Sequence, residues 1–303
     1  MQLSLHILLT MAPRSNATVS TLRTVDDVMS QMESDLPGNA SLSQARKYIR
    51  KKVGENKNLI KDTIDELENL ETYLSAVTPN PRSLIKSMMD NNIFLGGSQA
   101  TSLFYPISEV YSSPWNFFGY SFNIDRFITE YVGSSMADVV ESTSLPNGNK
   151  VVHLRRNLPS SENVCTIRVF GSNLHPIYCI LNLKFSYEHT VISATSAVCF
   201  WRRLMQMKCF REFEANSGLM DFPKGNTFYE IKITPGKPTS LRTQMESTSI
   251  YTVSDKKLEC IIFKNTCNLD NRKYIENLRM MQNIVYAVSN DSCRYLGNIA
   301  GMK

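Results

Sequence analysis

Between residues 41 and 77, apolar side chains recur at three- and four-residue steps: Ile60, Ile64, Leu67, Leu70, Leu74 and Val77. The stretch has no proline and one glycine, Gly54. Such spacing puts those side chains on one face, so the pattern predicts a single helical run over about 43–77 whose stripe must be covered. Upstream, 12–40 is polar and interrupted by turn formers, and it reads as a loosely ordered arm with one short helix near 25–32. Pro79 and Pro81 end the long run, because neither continues a helix and each biases the preceding residue toward extended backbone. The expected boundary lies there, dividing an N-terminal arm with a long amphipathic helix (1–80) from a second domain (81–303).

Beyond Pro81 the period keeps changing. Helices are expected at 83–90, 98–104 and 124–136, and strands at 93–95, 115–120, 150–155, 163–170 and 177–185, with Pro, Gly, Ser and Asn clusters between them. Two further helices are expected at 191–213 and 270–288, the second from Tyr274, Leu278, Met281, Val285 and Val288. Shorter strands are expected at 227–234 and 249–263. The fold class is α+β: a mixed sheet with flanking helices, preceded by the helical arm and followed by a helical extension.

Composition narrows the function classes only a little. Of the 303 residues, 42% are hydrophobic and 20% charged, which excludes disorder of the whole chain. Lys+Arg 33 against Asp+Glu 28 leaves +5, which suits an anionic partner without naming one. No apolar run approaches the roughly 20 residues that cross a bilayer, so no membrane span is expected. The 7 cysteines all lie in the second half, odd in number and without a CxxC pair, which argues against a disulfide framework and a structural zinc site. With no signal-peptide pattern over 1–11, an intracellular location, cytoplasmic or nuclear, is expected. The helical run is basic early (Arg46, Lys47, Arg50, Lys51, Lys52) and acidic late (Asp62, Asp65, Glu66, Glu68, Glu71), against the helix dipole. Packing must therefore stabilise it, either on its own domain or against a homo-oligomeric or other protein partner through residues 41–77.

Most familiar chemistry is missing. The histidines His6, His153, His175 and His189 share no metal-ligand spacing, and no HExxH, GxSxG, Walker or GxGxxG pattern occurs, so no cofactor is called for. His189 beside Glu188 has the makings of a general base, but such a step is usually structural. Arg155-Arg156 and Arg202-Arg203, near Phe200 and Trp201, suit phosphate pairing and stacking, although Val198 and Met205 place Trp201 on an apolar run.

One segment carries chemical information. Leu95-Gly-Gly-Ser-Gln-Ala100 reads as a strand turning into a short helix, with free backbone N–H groups where a phosphate is held. Ser113-Pro-Trp-Asn-Phe117 follows it. Over about residues 85–200 this arrangement resembles the nucleotidyltransferase-like families of fungi and large DNA viruses, in which a Gly-Ser turn and helix precede a strand bearing an Asp-x-Asp pair. The resemblance implies a metal held by that pair and a third carboxylate. Here Pro114 and Asn116 stand in place of the pair, and neither 164–170 nor 150–154 supplies the third carboxylate. The resemblance thus implies a catalytically inactive member that acts by binding nucleotide, nucleic acid or protein. Its nucleotide-binding residues would be Gly96, Gly97, Ser98 and Asn116, with no metal and no catalytic residue. The alternatives are an active metal-dependent transferase with rearranged ligands, and a structural or assembly protein, as in a virus, that oligomerises through its N-terminal helix.

Overall fold

The structure is a computed structural model that describes residues 22, 24–37, 40–105, 114–135, 137–144, 148–157, 164–202, 249–252, 258–265, 267–288 and 293–298. The expected strand at 227–234 and the expected helix over 203–213 lie outside the described residues.

The long helical run is three helices: α2 (Leu42–Val53), α3 (Lys57–Leu67) and α4 (Leu70–Leu74), preceded by α1 (Val25–Asp35). The breaks have local causes. Gly54 takes φ +71 at the end of α2, and the side chains of Asn56 and Asn69 accept from Leu59 N–H at 3.1 Å and Glu71 N–H at 2.9 Å, starting new helices. Ser41 caps α2 by accepting from Gln44 N–H, while Gln44 accepts from Ser41 N–H at 2.8 Å.

Next come α5 (Pro81–Asp90), β1 (Phe94–Gly96), α6 (Gly97–Ser102), β2 (Trp115–Tyr120), α7 (Ile124–Ser135), β3 (Asp138–Ser144), β4 (Lys150–Asn157) and β5 (Val164–Ser172). They are followed by α8 (Pro176–Leu181), β6 (Thr190–Ile192), β7 (Ser196–Cys199), β8 (Ser249–Thr252), β9 (Glu259–Ile262), α9 (Asn271–Gln282), β10 (Ile284–Val288) and β11 (Cys293–Asn298). Eight strands form one sheet in the order β3-β4-β5-β2-β1-β6-β7-β9, antiparallel except for the parallel β2–β5 pair. A separate antiparallel sheet has the order β11-β10-β8. The α+β class holds: a mixed sheet with flanking helices and an N-terminal helical region.

Three further expectations need correction. Residues 177–185 do not form a strand: Pro176 occupies the first helical turn and His175 Nδ1 accepts from Ile177 N–H at 3.2 Å, which starts α8. Residues 190–199 are not helical but a hairpin, β6–β7. Its turn is held by Ser193 Oγ, which accepts from Thr195 N–H at 3.2 Å and Ser196 N–H at 3.1 Å. The expected helix over 270–288 stops at Gln282, and Val285 and Val288 belong to β10. The strand β3 was not expected; all seven of its residues are exposed, so it lacks the alternation that reveals a half-buried strand.

Strand periodicity sorts the large sheet into two faces. Leu95, Trp115, Phe117, Val152, Leu154, Ile167 and Val169 share one apolar cluster with α1, α2, α5 and α7 and with Leu67, Leu70, Leu74 and Val77. The stripe that called for a cover is therefore covered within the chain. Polar bonds pin the same junction: Leu42 N–H donates to Phe104 O at 2.7 Å, Tyr131 Oη to Val77 O at 2.5 Å, and Tyr73 Oη to Gln99 O. The opposite face carries Phe94, Phe118 and Phe170, which cluster with Ile177, Ile180 and Leu181 of α8 and with Phe200, Ile284 and Tyr286.

Candidate functional site

Gly96 ends β1 and Gly97 opens α6. In the β1–β2 register Gly96 stands opposite Asn116, so the chain brings Gly96, Gly97, Ser98 and Asn116 to one place on the face that α8 partly covers. Each glycine has a steric reason. A Cβ on Gly96 would lie 2.7 Å from the Ile180 side chain, so this position lets α8 close onto the sheet. Gly97 has φ +78, and a Cβ there would lie 2.9 Å from Asn116 Nδ2. Ser98 and Asn116 are buried, and α6 has only six residues, with Gly97 through Thr101 all buried. Pro114 lies just before β2, and it is Asn116 that points into the site.

The register extends this point into a row across four strands. Asn116 on β2 pairs with Arg168 on β5, Arg168 with His153 on β4, and His153 with Glu141 on β3. Register partners project to the same side of a sheet, so the four side chains form a polar line on the face of Phe118 and Phe170. Exposure rises along it: Asn116 is buried, Arg168 and His153 are half-buried, and Glu141 is exposed. Among the described residues neither Asn116 Oδ1 nor Arg168 Nε has a hydrogen-bond partner, although both atoms are buried. A buried polar atom left unpaired costs about 1–3 kcal/mol, so a ligand that satisfied either one would be favoured by that amount.

Desolvation dominates the electrostatics of the row. Burial pulls the Arg168 guanidinium below its ordinary value. Burial also lowers His153, the positive charge of Arg168 lowers it further, and Glu141 acts in the opposite direction. The row therefore offers one fixed cation, one histidine held toward its neutral form, and an amide. The sequence pattern alone does not bring Arg168 to the site. Its signal is a single arginine in the alternating run Val164-Cys-Thr-Ile-Arg-Val-Phe170, on the side opposite Ile167 and Val169.

His189 and Glu188 have structural roles. His189 is fully buried; its Nε2 lies 2.8 Å from Leu183 O, and its Nδ1 accepts from the Trp201 indole N–H at 2.9 Å. An indole N–H only donates, so Nδ1 carries no proton and the ring is neutral. Glu188 accepts from Phe185 N–H at 3.2 Å, and burial pushes its carboxyl up to about 7. A separate cleft of about 310 Å³ lies between α3 and the segment after β9; Asp62, Asp65, Glu66, Glu68, Lys264 and Cys267 are among the residues lining it. Among the described residues no three His, Cys, Asp or Glu side chains are grouped so as to hold a metal ion, and no helix is long and apolar enough to cross a membrane. Compared with known proteins, the chain matches no family model, no curated protein and no solved structure.

Proposed function

We propose that this protein is a catalytically inactive, nucleotidyltransferase-like fold that binds the phosphate of a nucleotide without a metal ion. The observation that carries this reading is the row Asn116, Arg168 and His153 beside the Gly96-Gly97-Ser98 turn. Where the resemblance calls for carboxylates around a divalent cation, the row holds an amide, a guanidinium and an imidazole. Two-metal phosphoryl transfer needs anionic oxygens to hold the ions, and those three groups supply none. Their charge suits the anion itself: the guanidinium donates to phosphate oxygens directly and so takes over the role of the cation.

An active transferase with rearranged ligands would need carboxylates close to Asn116, and the carboxylate in this row, Glu141, stands at its far, exposed end. An assembly role through residues 41–77 would need a free apolar stripe, whereas Leu67, Leu70, Leu74 and Val77 lie in the chain's own core.

The test is calorimetric titration with ATP, GTP, CTP and UTP, with and without Mg²⁺, on the wild type and on Arg168→Glu. Binding that does not need Mg²⁺ and falls at least about tenfold in the variant is the expected result, consistent with a lost charge-assisted pair. Binding that requires Mg²⁺, or metal-dependent nucleotide incorporation, would favour the active transferase. No binding by the wild type would overturn the nucleotide reading.

A further inference from the structure

The row gains a second positive charge only when His153 takes up a proton. His153 stands directly between Arg168 on β5 and Glu141 on β3, and β5 and β3 are the two strands that flank its own. One row along on the same face, Arg155 stands opposite Asp138 in the β3–β4 register, one charge of each sign. The charges that face His153 directly are thus one cation and one carboxylate. Burial and Arg168 hold the empty site's imidazole toward its neutral form. An anion seated on Arg168 reverses that field, because it neutralises the guanidinium and places negative charge beside the ring.

We infer that His153 is the second cation of this site and takes up a proton from solvent as the anion arrives beside Arg168, so that the row selects a doubly charged terminal phosphate over the singly charged phosphodiester of a nucleic-acid backbone. The inference rests on the nucleotide reading and narrows it from nucleotide or nucleic acid to the phosphate end of a small molecule. The unpaired Arg168 Nε supports it, being a buried donor that an anionic oxygen would satisfy. The remaining histidines of the described chain do not compete, since His175 and His189 are held down to about 4 by burial.

Inorganic sulfate is the probe, since it stays a dianion across the working range and any pH dependence then belongs to the protein. Titrations at pH 8 and pH 6, each in two buffers of different ionisation heat, give both affinity and proton uptake. Dimethyl phosphate serves as the monoanionic diester, and adenosine monophosphate as the nucleotide. Sulfate should tighten by about tenfold or more from pH 8 to pH 6 with uptake of about one proton, since full uptake of one proton changes affinity tenfold per pH unit. Dimethyl phosphate should bind more weakly than sulfate at pH 6. His153→Gln should lose both the tightening from pH 8 to pH 6 and the proton uptake, and Arg168→Gln should lose binding at both pH values. Sulfate binding that depends on Arg168 but is flat with pH, or a His153→Gln variant that keeps the pH dependence, overturns the role of His153 and leaves the site standing. Adenosine monophosphate binding no tighter than sulfate keeps the inference and overturns the nucleotide reading, assigning the site to a free anion. No sulfate binding at either pH overturns both.

Discussion

Gly97 shows how one residue shapes the candidate site. Its φ of +78 is disfavoured for a side chain, and an added Cβ would press on Asn116 Nδ2. Gly97→Ala should therefore lose about 2 kcal/mol of stability. Gly133, inside α7, has open space around its Cα, and Gly133→Ala should gain about 0.5–1 kcal/mol from helix propensity. Urea unfolding of the two variants checks both signs, and equal effects would refute the steric account. The buried ionisable groups set a pH dependence at the same scale. His175 and His189 lie at about 4 in the folded chain against about 6.5 unfolded. The unfolded state thus binds more protons in that window, and their contribution is fully present above pH 6.5 and lost as pH falls toward 4. Glu188, raised to about 7, and Glu259, raised by burial, act in the opposite sense and gain as pH falls. With Glu188→Gln one of these offsets is gone, so the urea midpoint should fall more steeply between pH 6.5 and 4.5 than in the wild type; a shallower fall would count against the assignment.

At the scale of elements, small polar residues decide where helices begin. Asn56 and Asn69 divide what periodicity alone joins into one helix, because a side-chain oxygen that satisfies free N–H groups makes a new start favourable. Asn69→Ala should cost about 1 kcal/mol and Asn69→Gly only a few tenths, since glycine tolerates the cap geometry. Equal losses in thermal or urea melts would show that the cap bond is not what starts α4. The same competition explains α8 and the β6–β7 hairpin. A short apolar run such as Ile177-Tyr-Cys-Ile-Leu181 has no period that separates strand from helix, and Pro176 with the His175 cap settles it. Where alternation or amphipathic spacing was strong, as in β2, β4, β5 and α7, the expected elements lie within about two residues of the observed ones.

For the whole molecule, the N-terminal helices are part of the core. Leu42, Ile49, Leu70, Leu74 and Val77 are buried in the cluster that lines the sheet. Each is worth about 2 kcal/mol, so together they approach the entire stability of an ordinary domain. A chain truncated to 81–303 should therefore lose cooperative unfolding, and a sharp urea transition in that fragment would sink the prediction. The sequence by itself determined the α+β class and the polar and apolar faces of the regular elements, because these depend on local period. Only the tertiary structure decided that Arg168 stands beside Asn116 and His153 beside Arg168. They lie 52 and 37 positions away in the chain, and strand order and register, set by packing on both faces of the sheet, place them there. No local pattern encodes which strand lies next to which, so the charge of the row became legible only once the sheet was assembled.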